Sequence, residues 1–166
     1  MVLQDMSSVN AGILRAFQAM SPEEYNRQTH FFHGRYENIY IDDFRIPQLK
    51  ILIDRIRGEI AKFLKVDIRH IKMGFWLNVM MPGDKTTRHC HDDLDEVLSG
   101  VYYVNVPAQS GNLILYAENE LEIEPQENML VFFSPAIEHE VLVNMSKEIR
   151  LSIGFNACLL AANPAD

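Results

Sequence analysis

Two cysteines, Cys90 and Cys158, stand in 166 residues, too few for a disulfide framework or a thiolate zinc site. No apolar run approaches the roughly 20 residues that cross a bilayer. Met1-Val2-Leu3-Gln4-Asp5 has neither the basic n-region nor the apolar h-region of a secretory signal. A cytoplasmic protein with no membrane partner is therefore expected. Cationic excess is also missing. A net charge of -8 and a pI of 5.2 argue against a nucleic acid bound through its phosphates and against anionic membrane surfaces. With no repeat, low-complexity tract or linker, residues 1–166 are expected to form one domain. Its parts would be a helical and strand-forming support over 1–70, a catalytic core over 71–158 and a tail over 159–166. Hydrophobic residues make up 48% of the chain, enough to build a core and too many for disorder.

Apolar periodicity divides what is present. Val9 to Met20 has Ile13, Leu14 and Phe17 at helical spacing. Ser21-Pro22-Glu23-Glu24 carries the signature of a capping box and is expected to restart a helix. After Pro47, the residues Leu49, Leu52, Ile53, Ile56, Ile60, Phe63 and Leu64 mark a long amphipathic helix. Strand patterns begin with Asn38 to Ile41 and dominate after Asp67: Met73–Met81, Gly100–Val106, Asn112–Tyr116, Glu120–Glu124, Met129–Phe133, His139–Val143 and Ile149–Phe155. Helices followed by about eight short strands predict an α+β domain whose sheets close or stack into a roll. An exposed sheet edge in such a roll admits a homodimer.

The chemistry concentrates in Arg88-His89-Cys90-His91-Asp92-Asp93. In an extended segment side chains alternate, so His89, His91 and Asp93 point one way. Adjacent members of that set can offer two ligand atoms to one metal ion. His139, next to an apolar strand, is the best third donor. Two ligands from one strand, one from a distant strand and open positions for small molecules describe the facial triad of non-haem iron. A lone histidine is more often a surface or hydrogen-bonded core residue, so the pattern downstream carries weight. Arg150 in particular lies within the apolar strand Ile149–Phe155, an unusual place for a surface arginine.

Residues 73 to 158 resemble the iron(II)- and 2-oxoglutarate-dependent oxygenases, in particular the prolyl-hydroxylase-like branch with its small bacterial and phage proteins. The resemblance runs through Trp76-Leu77-Asn78, Pro82-Gly83-Asp84, His89-Cys90-His91, Ser99-Gly100-Val101-Tyr102-Tyr103-Val104-Asn105-Val106-Pro107 and Ser110-Gly111-Asn112-Leu113. It ends with Phe132-Phe133-Ser134-Pro135, His139-Glu140-Val141 and Arg150-Leu151-Ser152-Ile153-Gly154-Phe155-Asn156. It implies a double-stranded β-helix, or jelly roll, with N-terminal helices packed on the sheet. It implies Fe(II) as cofactor and 2-oxoglutarate as co-substrate. His139 becomes the distal metal ligand, Arg150 and Ser152 hold the far carboxylate of 2-oxoglutarate, and Tyr103 helps to hold it. A guanidinium suits that task because its planar fork pairs bidentately with a carboxylate.

Two ligand sets stay open. Counting forward from Trp76 and Pro82-Gly83 gives His89, His91 and His139. Counting back from Ser99-Gly100 gives His91, Asp93 and His139, which the preference of Fe(II) for one carboxylate and two imidazoles supports. The implied reaction is hydroxylation of a C–H bond in a small molecule, an amino acid or a peptide. A second reading is a cupin, a metal-dependent enzyme or metabolite-binding module that does not use 2-oxoglutarate. There Glu96 would join His89, His91 and His139 as fourth ligand, and Arg150 and Ser152 would have no assigned task.

Overall fold

The computed structural model describes residues 1–32, 34–91 and 95–160. Two helices come first, α1 (Ser7–Ala19) and α2 (Pro47–Leu64), separated by a hairpin of β1 (Arg27–Phe32) and β2 (Arg35–Tyr40). The other strands follow: β3 (Ile71–Met80), β4 (Thr86–His89), β5 (Leu98–Asn105), β6 (Leu113–Tyr116), β7 (Glu120–Ile123), β8 (Leu130–Phe133), β9 (Glu138–Val141) and β10 (Arg150–Leu159). They form a six-stranded sheet in the order β1-β2-β3-β10-β5-β8 and a four-stranded sheet in the order β4-β9-β6-β7. Every pairing is antiparallel. This is the α+β double-stranded β-helix that the sequence predicts.

The central strand β10 shows how the sheet separates two environments. Its odd positions, Leu151, Ile153, Phe155 and Ala157, pack in the large apolar cluster with Leu49, Leu52, Ile56 and Ile60 of α2 and Ile13 of α1. Its even positions, Arg150, Ser152 and Gly154, line a cleft on the other face. Strand β3 divides in the same way, with Leu77 and Val79 in the apolar cluster and Trp76 and Asn78 in the cleft. The helices cover one face of the large sheet, so the other is free to build a site. A smaller cluster of Leu113, Leu115 and Phe133 fills part of the space facing the cleft.

Two expectations change. Ser21-Pro22-Glu23-Glu24 does not restart a helix. It makes one 3-10 turn over Pro22–Glu24, in which the Ser21 amide donates to the Glu24 carboxylate at 2.8 Å. No apolar helical periodicity follows, and Tyr25 is already extended with ψ 139°. The described residues also hold two strands beyond the expected set, β1 and β4. β1 is polar and lies at the sheet edge, where alternation is not enforced by a buried face. No helix among the described residues is long and apolar enough to cross a membrane.

Candidate metal centre

β4 and β9 pair with a register shift that sets His89 directly opposite His139. Their rings lie 4.4 Å apart between centroids. His91 follows two residues after His89, anchored by its amide donating to the Pro135 carbonyl at 2.8 Å. Its ring is 4.9 Å from that of His89 and 5.1 Å from that of His139. One ligand atom from each of the three lies within 4.8 Å of the others. The carbonyl of Thr87 accepts from His89 Nδ1 at 2.7 Å, and the carbonyl of Ile137 accepts from His139 Nδ1 at 3.1 Å. A carbonyl can only accept, so each Nδ1 carries a proton, which leaves the Nε2 lone pair of the neutral ring for a metal. Burial, with His139 and His89 nearby, pushes the His91 pKa down to about 3. Burial, with His89 nearby, pushes His139 down to about 4. Near neutral pH these rings are uncharged and ready to ligate.

The same cleft, of about 500 Å³, is lined by Asn78, Tyr103, Arg150 and Ser152. Arg150 is 1% exposed. Its hydrogen bonds among the described residues go to the backbone carbonyls of Ser110 and Gly111, while its Nε is buried without a partner. Gly111 is required where it stands. Its φ is +95°, and a Cβ there would meet the Leu142 carbonyl oxygen at 2.0 Å. Tyr103 presents its ring 5.1 Å from the guanidinium carbon, and its buried hydroxyl interacts with Arg150 without completing a well-aligned hydrogen bond. Burial raises the Tyr103 pKa to about 12, so the hydroxyl stays protonated. Ser152 pairs with Tyr103 on one side and Asn78 on the other.

Three converging imidazoles suit Fe, Zn, Cu or Ni. A buried guanidinium with an unpaired donor beside an unpaired hydroxyl suits a small carboxylate. The residues therefore fit both a metal ion and an organic acid.

The structure brings together His89, His91, His139, Arg150, Ser152 and Tyr103. Asp93 lies outside the described residues. Glu96, the fourth ligand of a cupin, is not in the cluster of donors and lines an adjoining cleft instead. Asn38 and Thr86 also line the histidine cleft and were not singled out from the sequence. As single polar residues in ordinary strands they carry no spacing signal.

A family model described as "Putative 2OG-Fe(II) oxygenase" matches residues 74–122, the stretch from β3 to β7 that includes His89 and His91. Among solved structures, a Pseudomonas putida prolyl-4-hydroxylase is 19% identical with a TM-score of 0.62, covering 95% of this chain and 84% of its own. A Trichoplax adhaerens prolyl hydroxylase, in complex with a hypoxia inducible factor oxygen degradation domain peptide fragment, is 16% identical with a TM-score of 0.70, covering 91% and 78%. EvdO2 from Micromonospora carbonacea var. aurantiaca, complexed with 2-oxoglutarate, is 13% identical with a TM-score of 0.65, covering 96% and 85%. At these identities the structures speak for the fold. Residues 74–122 thus match an iron(II)- and 2-oxoglutarate-dependent oxygenase family model, and the fold of the chain is that of these solved structures. No curated protein matches it by sequence. The name of the matched family pairs iron(II) with 2-oxoglutarate, and the cleft offers imidazole donors for a metal ion and an incompletely paired cation for a carboxylate.

Proposed function

We propose that the chain is an Fe(II)- and 2-oxoglutarate-dependent oxygenase that hydroxylates a C–H bond of an amino acid, a peptide or another small molecule. The metal ligands in this reading are His89, His91 and His139. The observation that carries it is the convergence of these three imidazoles in one cleft with a buried, incompletely paired Arg150. When bound, the iron and its keto-acid co-substrate supply the oxidising power that splits the C–H bond. Arg150 holds the far carboxylate through its free guanidinium edge, and the Tyr103 hydroxyl donates to the same group. Ser152 adds a short polar contact beside them. Thr87 and Ile137 fix the tautomers of His89 and His139 through their carbonyls, which keeps both Nε2 lone pairs aimed at one point. Phe133 and Val101 dry the cleft wall, which strengthens each of these polar contacts.

Anaerobic titration of the Fe(II)-loaded protein with 2-oxoglutarate tests this reading. A weak visible charge-transfer band is expected, absent in His139→Ala and weakened in Arg150→Ala. Stoichiometric iron with no band would overturn the use of 2-oxoglutarate. Asp93 remains the rival ligand to His89. Loss of iron in Asp93→Ala with retention in His89→Ala would replace His89 by Asp93. Peptide and small-molecule substrates are both compatible with the fold relatives, one of which holds a peptide.

A further inference from the structure

A second cleft, of about 540 Å³, opens beside the histidine cleft and shares Asn38, Trp76 and His91 with it. Its remaining walls include His30, Tyr40, Glu96 and Asn156. Trp76 stands between the two clefts, its ring 5.5 Å from that of His91. Among the described residues, Glu96 is the one Asp, Glu, Lys or Arg side chain that lines this second cleft. Its Oε2 is buried and has no hydrogen-bond partner. A carboxylate oxygen in that condition loses its water without replacement, which a donor from a ligand would restore. The nearest cationic side chains do not answer it. Arg27 and Lys72 line an adjoining cleft that Glu96 also borders, yet neither forms an ion pair with it, and the Arg27 guanidinium sits 4.0 Å over the Tyr40 ring.

We propose that this second cleft receives the primary substrate, and that the substrate presents a cationic nitrogen group, an ammonium or a guanidinium, to Glu96 with its carbon chain against Trp76. That the ligand is a substrate rests on the oxygenase reading above; that the cleft binds a cation does not. The indole face contributes because a cation or its flanking methylenes pack favourably on it. The shared wall at Trp76 and His91 directs the rest of such a chain toward the histidine cleft, where a C–H bond would be attacked.

Trp76 is the single tryptophan of the chain, so its fluorescence reports occupancy of this cleft. The experiment titrates the protein with two isosteric pairs whose α-ammonium is blocked, Nα-acetyl-arginine against Nα-acetyl-citrulline and Nα-acetyl-lysine against Nα-acetyl-2-aminoheptanoate, with calorimetry in parallel. Metal-free and Fe(II)-loaded samples are both run. A cationic member that binds about tenfold or more tightly than its neutral partner is expected, from the usual strength of a hydrogen bond to a charged group. Glu96→Gln, checked for its fold by circular dichroism, is expected to abolish that preference. Equal binding within both pairs, no response to any of the four by either method, or a preference that survives Glu96→Gln would overturn the proposal. The preference together with a failed charge-transfer titration would sink the oxygenase reading and leave the cation site standing. The band without the preference would do the reverse.

Discussion

His89 and His139 face each other across the β4–β9 pair, each one residue beyond a member of the Arg88–Glu138 ion pair on the outer face. The pairing thus presets two candidate ligands before any metal arrives. A preset site binds metal without first ordering the chain, so binding to the native state appears directly as stability. Zn²⁺, which has no redox chemistry, is expected to raise the melting temperature, by an amount set by its concentration over its Kd. His139→Ala is expected to remove the increase and His91→Ala to reduce it severely. An equal increase in wild type and both variants, followed by differential scanning fluorimetry, would show that the metal binds elsewhere.

In the proposed site, Tyr103 and Arg150 form a pair whose value lies in a ligand. Both carry buried donor atoms that complete no well-aligned hydrogen bond, and an unsatisfied buried group costs about 1–3 kcal/mol. Tyr103→Phe removes one such atom at nearly constant shape. Urea unfolding of the ligand-free protein is expected to show unchanged or increased stability, up to about 1 kcal/mol. Affinity for 2-oxoglutarate is expected to fall several-fold in the same variant. A marked loss of stability would mean that the hydroxyl has a structural partner, and unchanged affinity would remove it from the co-substrate site.

Much of this was legible in the chain because strands repeat every second residue. The period that places Leu151, Ile153 and Phe155 against the helices also places Arg150 and Ser152 on the opposite face, and the same arithmetic puts His89 and His91 on one side. What was not legible depends on contacts between distant segments. Glu37 is 2% exposed, yet nothing in Arg35-Tyr36-Glu37-Asn38 announces burial. It is held by Arg35 and by the Thr87 amide, fifty positions away in sequence. That His89 faces His139 was not legible for a related reason. The register shift between β4 and β9 is set by pairing geometry and leaves no trace in composition.

Gly154 lies opposite Trp76 on β3, and a Cβ at that position would meet the indole at 2.6 Å. The bare glycine lets the indole lie flat across the strand and form the wall between the two clefts. Gly154→Ala is expected to push the ring away, costing about 1–3 kcal/mol as overpacking does. The Trp76 emission maximum should shift in the folded state at the same time. Trp76→Leu in the alanine background is expected to recover part of the stability. An unshifted spectrum with full stability would show that the indole adapts without cost.

Acid sensitivity follows from the buried imidazoles, with a sign opposite to that of a histidine in an ion pair. His139 titrates at about 4 in the folded protein because of burial, against about 6.5 when unfolded. Above pH 6.5 neither state binds the proton, and the native state bears no penalty. Below it the unfolded chain takes up a proton that the folded chain refuses, so stability falls as the pH drops from 6.5 toward 4. At about 1.4 kcal/mol per pH unit, His139 alone removes roughly 2 kcal/mol between pH 7 and pH 5. His91, also lowered by burial, adds to the loss with some reduction for its partial exposure. Urea unfolding of metal-free protein at pH 7 and pH 5, in the presence of a chelator, measures the difference. His139→Gln is expected to flatten it by about the His139 share. Bound metal is expected to compete with the proton and move the loss to lower pH. A pH dependence identical in wild type and His139→Gln would show that the ring titrates normally in the fold.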